Sequence, residues 1–385
     1  MTTQLPRDPS ILFRDDLARR ETLFDQPEEI LEARSLDELE QVIAKIERAR
    51  RAGKWLAGYF SYEAGALFEE KLAASLLTGR RIPLCAFGVF SAPKRHKPEP
   101  HPGAPGWWLA APAAAWSFED YRERFDRVHQ HLREGDCYQA NLTFPIVAKW
   151  LGDPEAIFNE LAARQPVRHS AYVDFSETKI LSRSPELFFK TDTDGWIESL
   201  PMKGTARRGK TPAADKAQKR FLQSDPKNQA ENRMIVDLLR NDISRISEVG
   251  TLSVPKLFKV ETYETLHQMV SLVRARLLPG LTVRDIFAAL FPCGSITGAP
   301  KLRAMTILQA LEQRPRDIYC GSIGWIAPDG RMEFNVAIRT LTLYPDGEAV
   351  FNVGGGVVFD STAEEEYAEC LLKARFALGE TKISS

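Results

Sequence analysis

"YCGSIGWIAPDGRMEFNVAIRTLTLYPDGEAVFNVGGGVV" runs from Tyr319 to Val358. Two Pro-Asp-Gly triplets, at 328–330 and 345–347, divide it into short runs rich in Ile, Val, Thr and Phe. Asp-Gly between such runs reads as a hairpin turn, because glycine accepts the left-handed backbone the turn needs. The stretch is therefore a set of strands, followed by a helix, "TAEEEYAECLLKARFAL" (362–378). Upstream, "YQANLTFPIVA" (138–148), "SAYVDF" (170–175), "TKILSRSPELFFKT" (178–191) and "GWIESLPM" (195–202) read as further strands of an antiparallel sheet. So does "KLFKVETYETLHQMVSLVRARL" (256–277). Helices are expected at 35–53, where Ser35 and Glu38 form a capping pattern, and at 117–135, 225–246, 282–292 and 301–315. There is no internal repeat. Many strands with interspersed helices favour an α+β fold, an α/β sandwich, over a regular βαβ alternation.

The chain divides into two sections. Residues 1–115 form an N-terminal section packing on the core, and 116–385 a second, larger domain. The Pro-, Gly- and charge-rich stretch "SAPKRHKPEPHPGAPG" (91–106) is a surface connection near the boundary. Of 385 residues, 44% are apolar and 27% charged, and the net charge is −1, so no global field recruits nucleic acid or an acidic membrane. No apolar run reaches the roughly 18–20 residues of a membrane span, and "MTTQLPRDPS" lacks a signal-peptide core. Five scattered cysteines without a CxxC pair point to the cytoplasm and away from zinc.

Single motifs are ambiguous. "CGSITGAPK" (293–301) ends in lysine before a helix, but Ala299 and Pro300 separate that lysine from the last glycine. That breaks the phosphate-loop pattern and leaves either a helix cap or a carboxylate site at Ser295 and Thr297. Glu366, Glu369 and Lys373 share a helix face. They are either a solvated ladder or, after the glycines 354–356, a site for an anion and a hard cation such as Mg²⁺. Glu231 points partly toward the apolar face of its helix, where a lone charge needs a partner or a metal. His267 in a strand is either a core residue or a catalyst. Arg339 in an apolar strand needs a carboxylate from the protein or a substrate. Tyr319 either stacks in the core or bonds a ligand. Lys203, in a loop after "GWIESL", is a solvated charge, a phosphate clamp or a nucleophile.

The combination is more specific. "GDCYQANL", "SRSPELFF", "PMKGTARRG", "AENRMIVDLLRNDISRI", "CGSITGAPK", "YCGSIGW", "FNVAIRT" and "GGGVVFDSTAEEEYAE" occur in this order. From about Ser117 onward the chain resembles the chorismate-utilising enzymes, which include anthranilate, aminodeoxychorismate, isochorismate and salicylate synthases. The resemblance implies two large antiparallel sheets packed together, with helices outside and the active site in a cleft between them. It implies Mg²⁺ held by Glu231 and Glu369 with Glu366 nearby, and an outer-shell position, acidic in some members, that is Asn228 here. Tyr319, Arg339 and the amides of Gly354, Gly355 and Gly356 would bind the enolpyruvyl carboxylate. Ser295, Gly204, Thr205 and Lys373 would line the substrate. Glu186 would be a general acid, and His267 matches a histidine linked to pyruvate elimination. Isochorismate-forming members have a lysine base near the position of Gln139, and no lysine stands here. Lys203 is similar to the lysine of the aminodeoxychorismate-forming members, in which it acts as a nucleophile. The resemblance thus implies amination of chorismate by ammonia from a separate glutamine amidotransferase. An anthranilate synthase component, or a non-catalytic chorismate-binding subunit, is the alternative.

Overall fold

In the computed structural model, residues 9–74, 76–96, 108–263, 266–379 and 383 are described. Most of the expected connection at 91–106 lies outside them. The strands are β1 (Ser10–Asp15), β2 (Arg20–Asp25), β3 (Glu29–Ala33), β4 (Trp55–Phe60), β5 (Cys85–Phe90), β6 (Lys94–His96), β7 (Trp108–Ala114), β8 (Gln139–Leu151), β9 (His169–Asp174), β10 (Lys179–Ser184), β11 (Leu187–Thr191), β12 (Trp196–Leu200), β13 (Met202–Arg207), β14 (Ser253–Thr262), β15 (Leu266–Arg276), β16 (Gly298–Ala299), β17 (Ser322–Ile326), β18 (Met332–Asn335), β19 (Thr340–Leu343) and β20 (Glu348–Val357). The helices are α1 (Leu36–Arg51), α2 (Glu70–Ala73), α3 (Phe118–Arg133), α4 (Pro154–Arg164), α5 (Pro212–Ser224), α6 (Pro226–Ser244), α7 (Val283–Leu290), α8 (Lys301–Glu312) and α9 (Ala363–Leu378).

Two antiparallel sheets of ten strands each result. One runs β16-β8-β20-β19-β10-β9-β1-β2-β6, with β7 beside β8; the other runs β13-β15-β12-β11-β18-β17-β4-β5-β3, with β14 beside β15. Strands from both sides of residue 115 are neighbours in each sheet, at β1·β9 and at β4·β17. Both Pro-Asp-Gly triplets make the expected hairpins. Gly330 and Gly347 have φ of +91° and +79°, and their amides bond the carbonyls of Ala327 and Tyr344. The capping box at Ser35 and Glu38 is present on α1, and a second one, Ser117 and Asp120, opens α3.

Each sheet buries its outer face under helices. Val42, Ile43 and Ile46 of α1, Ile235 and Leu239 of α6 and Phe287 of α7 pack with Phe60, Phe189 and Val273 of the second sheet. On the other side, Tyr121 and Phe125 of α3, Leu308 of α8 and Tyr367 of α9 pack with Phe144, Leu341 and Phe351. The inner faces meet through a third cluster, which includes Ile11, Phe24, Tyr59, Phe90, Val173 and Ile323. Those residues come from the β1–β2–β9 and β4–β5–β17 ends. Toward β8–β20 and β13–β15 the inner surfaces turn polar, with Asn141, Thr143, Thr340 and Thr342 buried there, and the candidate site lies at this end.

One expectation changes. Lys203 lies in a strand, not a loop. Pro201 interrupts a ladder that β12 and β13 share along β15: Ser199 faces Val273 and Met202 faces Val270 in one register. The register then slips, so that Thr205 faces Gln268. The slip is a bulge at Lys203–Gly204, with Gly204 at φ +87°, a device that re-aims side chains beside functional sites. Proline, bulge and glycine together hide the strand from a pattern of alternation.

Candidate active site

Glu186 sits between β10 and β11 and is 5% exposed. The Ser295 hydroxyl and the Met202 amide stand near enough to its carboxylate to favour the charged form. Burial pushes its carboxyl up to about 7, against the pull of Ser295, Lys203 and Arg339. A carboxylic acid poised near neutrality can hand over a proton. Ser295 thus faces Glu186 and Cys293 rather than capping α8, whose N-cap Pro300 offers no side-chain hydrogen bond. Thr297 turns back to the carbonyls of Cys293 and Gly294.

The half-buried Lys203 reaches from its bulge to β20. A Cβ at Gly356 would stand 3.2 Å from Lys203 Nζ and 3.1 Å from Gln139 Nε2. Gln139 is 1% exposed, and both ends of its amide lack a hydrogen-bond partner. A buried amide left unpaired is costly unless something else completes it. In the sequence Gln139 marks only the place where a lysine is missing; its orphaned amide depends on partners distant in the chain.

The triple glycine follows from close packing. A Cβ at Gly354 would lie 2.6 Å from Thr143, and one at Gly355 2.5 Å from Glu366 Oε2. β20 stays paired with β8 through Val357, but its pairing with β19 stops at Phe351. Beyond that point the edge away from β8 has no strand beside it among the described residues. Arg339 lies there: continuing the β19 register would set it opposite Val353, but its φ of +50° breaks the ladder. Non-glycine residues seldom adopt that conformation, and it gathers at functional sites. Burial lowers the Arg339 guanidinium to about 10, with Glu186 opposing the shift. No described side chain hydrogen-bonds it. Tyr319 is buried and lines a cavity of about 350 Å³ between the first sheet and the turn at 313–319, with Thr340 and Asn352; Glu186, Lys203 and Arg339 do not line it.

The three carboxylates expected to hold a metal are placed less tightly. Glu366 of α9 accepts from Ser361 Oγ at 2.7 Å, and burial, reinforced by Glu369, raises its carboxyl. Glu369 pairs with Lys373 at 2.7 Å, as the ladder reading had it. Burial opposes charge on Glu369, yet Lys373, then Lys203 and Lys227, bring its carboxyl below the ordinary range. Lys373 also donates to the Gly354 carbonyl at 2.8 Å. Glu231 is half-buried on α6, one turn beyond Asn228, whose side chain abuts Gly204. Hard carboxylate oxygens are the donors Mg²⁺ takes, and the charges of Lys203 on β13 and Lys227 on α6 both act on Glu369. Among the described residues, however, the one cluster with three donor atoms within 4.8 Å is His131, Glu134 and Asp136, at the end of α3. Glu231, Glu366 and Glu369 do not converge that closely; Lys373 engages Glu369 and Ser361 engages Glu366.

His267 does not join this group. It is 1% exposed; its Nε2 lies 2.9 Å from Asp215 Oδ1, and its Nδ1 3.0 Å from Thr262 Oγ1. Its neighbour Gln268 takes the other face, accepting from Thr205 Oγ1 at 3.0 Å and donating to the Gly204 carbonyl at 2.8 Å. Side chains alternate along a strand, so one position decides which residue looks toward Thr205.

Comparison with known proteins places this arrangement. The family model described as chorismate binding enzyme matches residues 9–379. Aminodeoxychorismate synthase component 1 of Klebsiella aerogenes is 39% identical over 335 residues, 81% of this chain and 74% of that protein. An anthranilate synthase component 1 of Haloarcula marismortui is 40% identical over 257 residues, 67% of this chain but only 52% of that protein. Among solved structures, anthranilate synthase component I of Streptococcus pneumoniae TIGR4 superimposes with a TM-score of 0.80 at 26% identity, covering 97% of this chain and 93% of that one. No helix among the described residues is long and apolar enough to cross a membrane.

Proposed function

The chain belongs to the chorismate-binding enzyme family, and from that premise we propose that it aminates chorismate with ammonia to give 4-amino-4-deoxychorismate. The observation that supports this most is the amine of Lys203 beside the orphaned Gln139 amide and near the protonatable Glu186. In this reading Arg339 and Tyr319, with the free edge of β20, hold the enolpyruvyl carboxylate. Lys203 Nζ forms a bond to ring carbon 2, the double bonds shift, and the hydroxyl at carbon 4 leaves as water with the proton of Glu186. Ammonia then bonds to carbon 4, and the electrons return to release Lys203 from carbon 2. Two easier displacements replace one hard step.

Glu231 and Glu369, with Glu366 beside them, would hold Mg²⁺ against the ring carboxylate, Glu369 leaving Lys373 to do so. The ion would supply charge neutralisation that polarises the conjugated ring. Ammonia would come from glutamine through a separate amidotransferase subunit, in keeping with relatives named as component 1. Formation of anthranilate would require loss of pyruvate. The placement of an amide, Gln268, rather than the imidazole of His267 toward Thr205 favours a reaction that stops before it.

Product analysis tests the proposal. With chorismate, Mg²⁺ and an ammonium salt, the purified chain should form 4-amino-4-deoxychorismate and no fluorescent anthranilate. Activity should vanish on exhaustive chelation, and in Glu231→Gln and Glu369→Gln with the fold retained. Glutamine should not replace ammonium until an amidotransferase is added. Anthranilate and pyruvate as the main products would refute the assignment.

A further inference from the structure

On the face of β15 turned away from Thr205 lies a second cavity, of about 500 Å³. Its wall is the turn from β13 into α5 and the first two turns of that helix, and His267 closes it from below. From Arg207 to Arg220 the sequence holds six cations (Arg207, Arg208, Lys210, Lys216, Lys219 and Arg220) and one acid, Asp215, in a chain whose net charge is −1. Four of those cations, Arg208, Lys210, Lys216 and Lys219, line the cavity.

The single acid does not offset them. Asp215 accepts from Arg208 Nε at 2.7 Å and Nη2 at 3.0 Å, from the Gly209 amide at 2.8 Å and shares a hydrogen bond with His267. These contacts, Arg208 first, hold its carboxyl far below the ordinary range. Asp215 thus fixes Arg208 and His267 in place, and its carboxylate is engaged with four donors, none of them a lysine. Lys210, Lys216 and Lys219 have no acidic partner among the described residues. A concave wall with uncompensated charge of one sign concentrates the opposite ion, and the volume is that of a small-molecule site rather than a face for a polymer. The start of α5, thirteen residues long, points its dipole the same way. No hydrogen bond joins this cavity to Glu186, Lys203 or Arg339 among the described residues.

We propose that this cavity is a second anion site, which takes a small ion with two or more negative charges, phosphate or carboxylate in type. Calorimetric titration of the whole chain with inorganic pyrophosphate, citrate and chorismate tests it. Pyrophosphate or citrate should bind one per chain, and the double variant Lys216→Ala/Lys219→Ala should weaken that binding by about tenfold. Both lysines are exposed, so the variant should melt as the parent does. A control, Lys45→Ala/Lys256→Ala, removes the same charge elsewhere and should bind as the parent. If chorismate is the resident ion, the parent should take up two per chain and the double variant one; if it is a phosphate, chorismate should stay at one in both. No binding of pyrophosphate or citrate below about 10 mM, or an equal loss in the control, would overturn the proposal.

Discussion

Arg316 and Arg339 are both arginines set among buried groups near the inner faces of the sheets, and they are treated in opposite ways. Arg316 is 3% exposed. It bonds Glu312 through Nε at 2.9 Å and Nη2 at 2.8 Å, the Asn141 carbonyl at 2.8 Å and the Ile296 carbonyl at 3.2 Å, and it lies over the Tyr62 ring. Burial disfavours its charge, but Glu312, Tyr62 and Cys320 together outweigh that and its guanidinium ends well above the ordinary value. Glu312 in turn accepts from the amide and hydroxyl of Thr143. The network ties β8 to the turn that carries Ser295. Arg339 has no such partners, a left-handed backbone and a lowered guanidinium. A fully satisfied buried charge belongs to the fold; a half-buried one with no protein partner is available to something else.

The largest test of that contrast is stability. Arg316→Ala strands Glu312 and should cost about 3–5 kcal/mol in urea unfolding. Arg339→Ala removes a charge the fold does not compensate; it should change stability by less than about 1 kcal/mol and lower kcat/KM by about 10²–10³. If the two variants exchanged these outcomes, the distinction would collapse.

Next in size is Lys203. Lys203→Arg keeps the charge but loses the amine nucleophile, so turnover should fall on the order of a hundredfold. Mass spectrometry should find a chorismate-derived adduct on the "PMKGTAR" peptide of the parent, incubated without ammonia, and none in this variant. Lys203→Ala should be less damaging, since ammonia can then attack directly. Near-normal turnover in Lys203→Arg would reduce the lysine to a clamp.

Glu186 sharpens the comparison through pH. Its acid form is the useful one and prevails below about 7. The rate attributed to it should therefore be full at lower pH and decline as pH rises through about 7, by at most about tenfold per unit. Glu186→Gln should erase that limb. The smallest effect is expected at Gly356→Ala. Its methyl would meet two side-chain ends at 3.1 and 3.2 Å, so a severalfold rise in KM with an unchanged melting temperature is expected.

Much of this architecture could be read from local chemistry. The Pro-Asp-Gly hairpins and the α1 capping box depend on neighbours in sequence, and both were legible. What failed depended on distant partners. β15 is buried on both faces from His267 to Val273, so no polar-apolar alternation marks its phase, and His267 could not be told from Gln268 as the residue facing Thr205. α5 passed unread because its one buried side chain is Leu222. The motifs named the ingredients of the site: Glu186, Lys203, Ser295 and Arg339 do come together. The carboxylates on α6 and α9 were visible too, but not that Lys373 and Ser361 would occupy two of them.

The sharing of both sheets by early and late strands has a consequence for synthesis. β1 must wait for β9, more than 150 residues later, and β4 for β17, more than 260 residues later. The glycines of β20 meet Glu366 and Lys373 only after α9 has left the ribosome. At roughly 5–20 residues per second, a nascent chain spends on the order of 20–80 s with open β edges and no working cleft. The demand this fold places on a cell is thus one of timing: β1–β2 and β3–β5–β4 can pair early, but their outer edges stay open until β9 and β17 have been made.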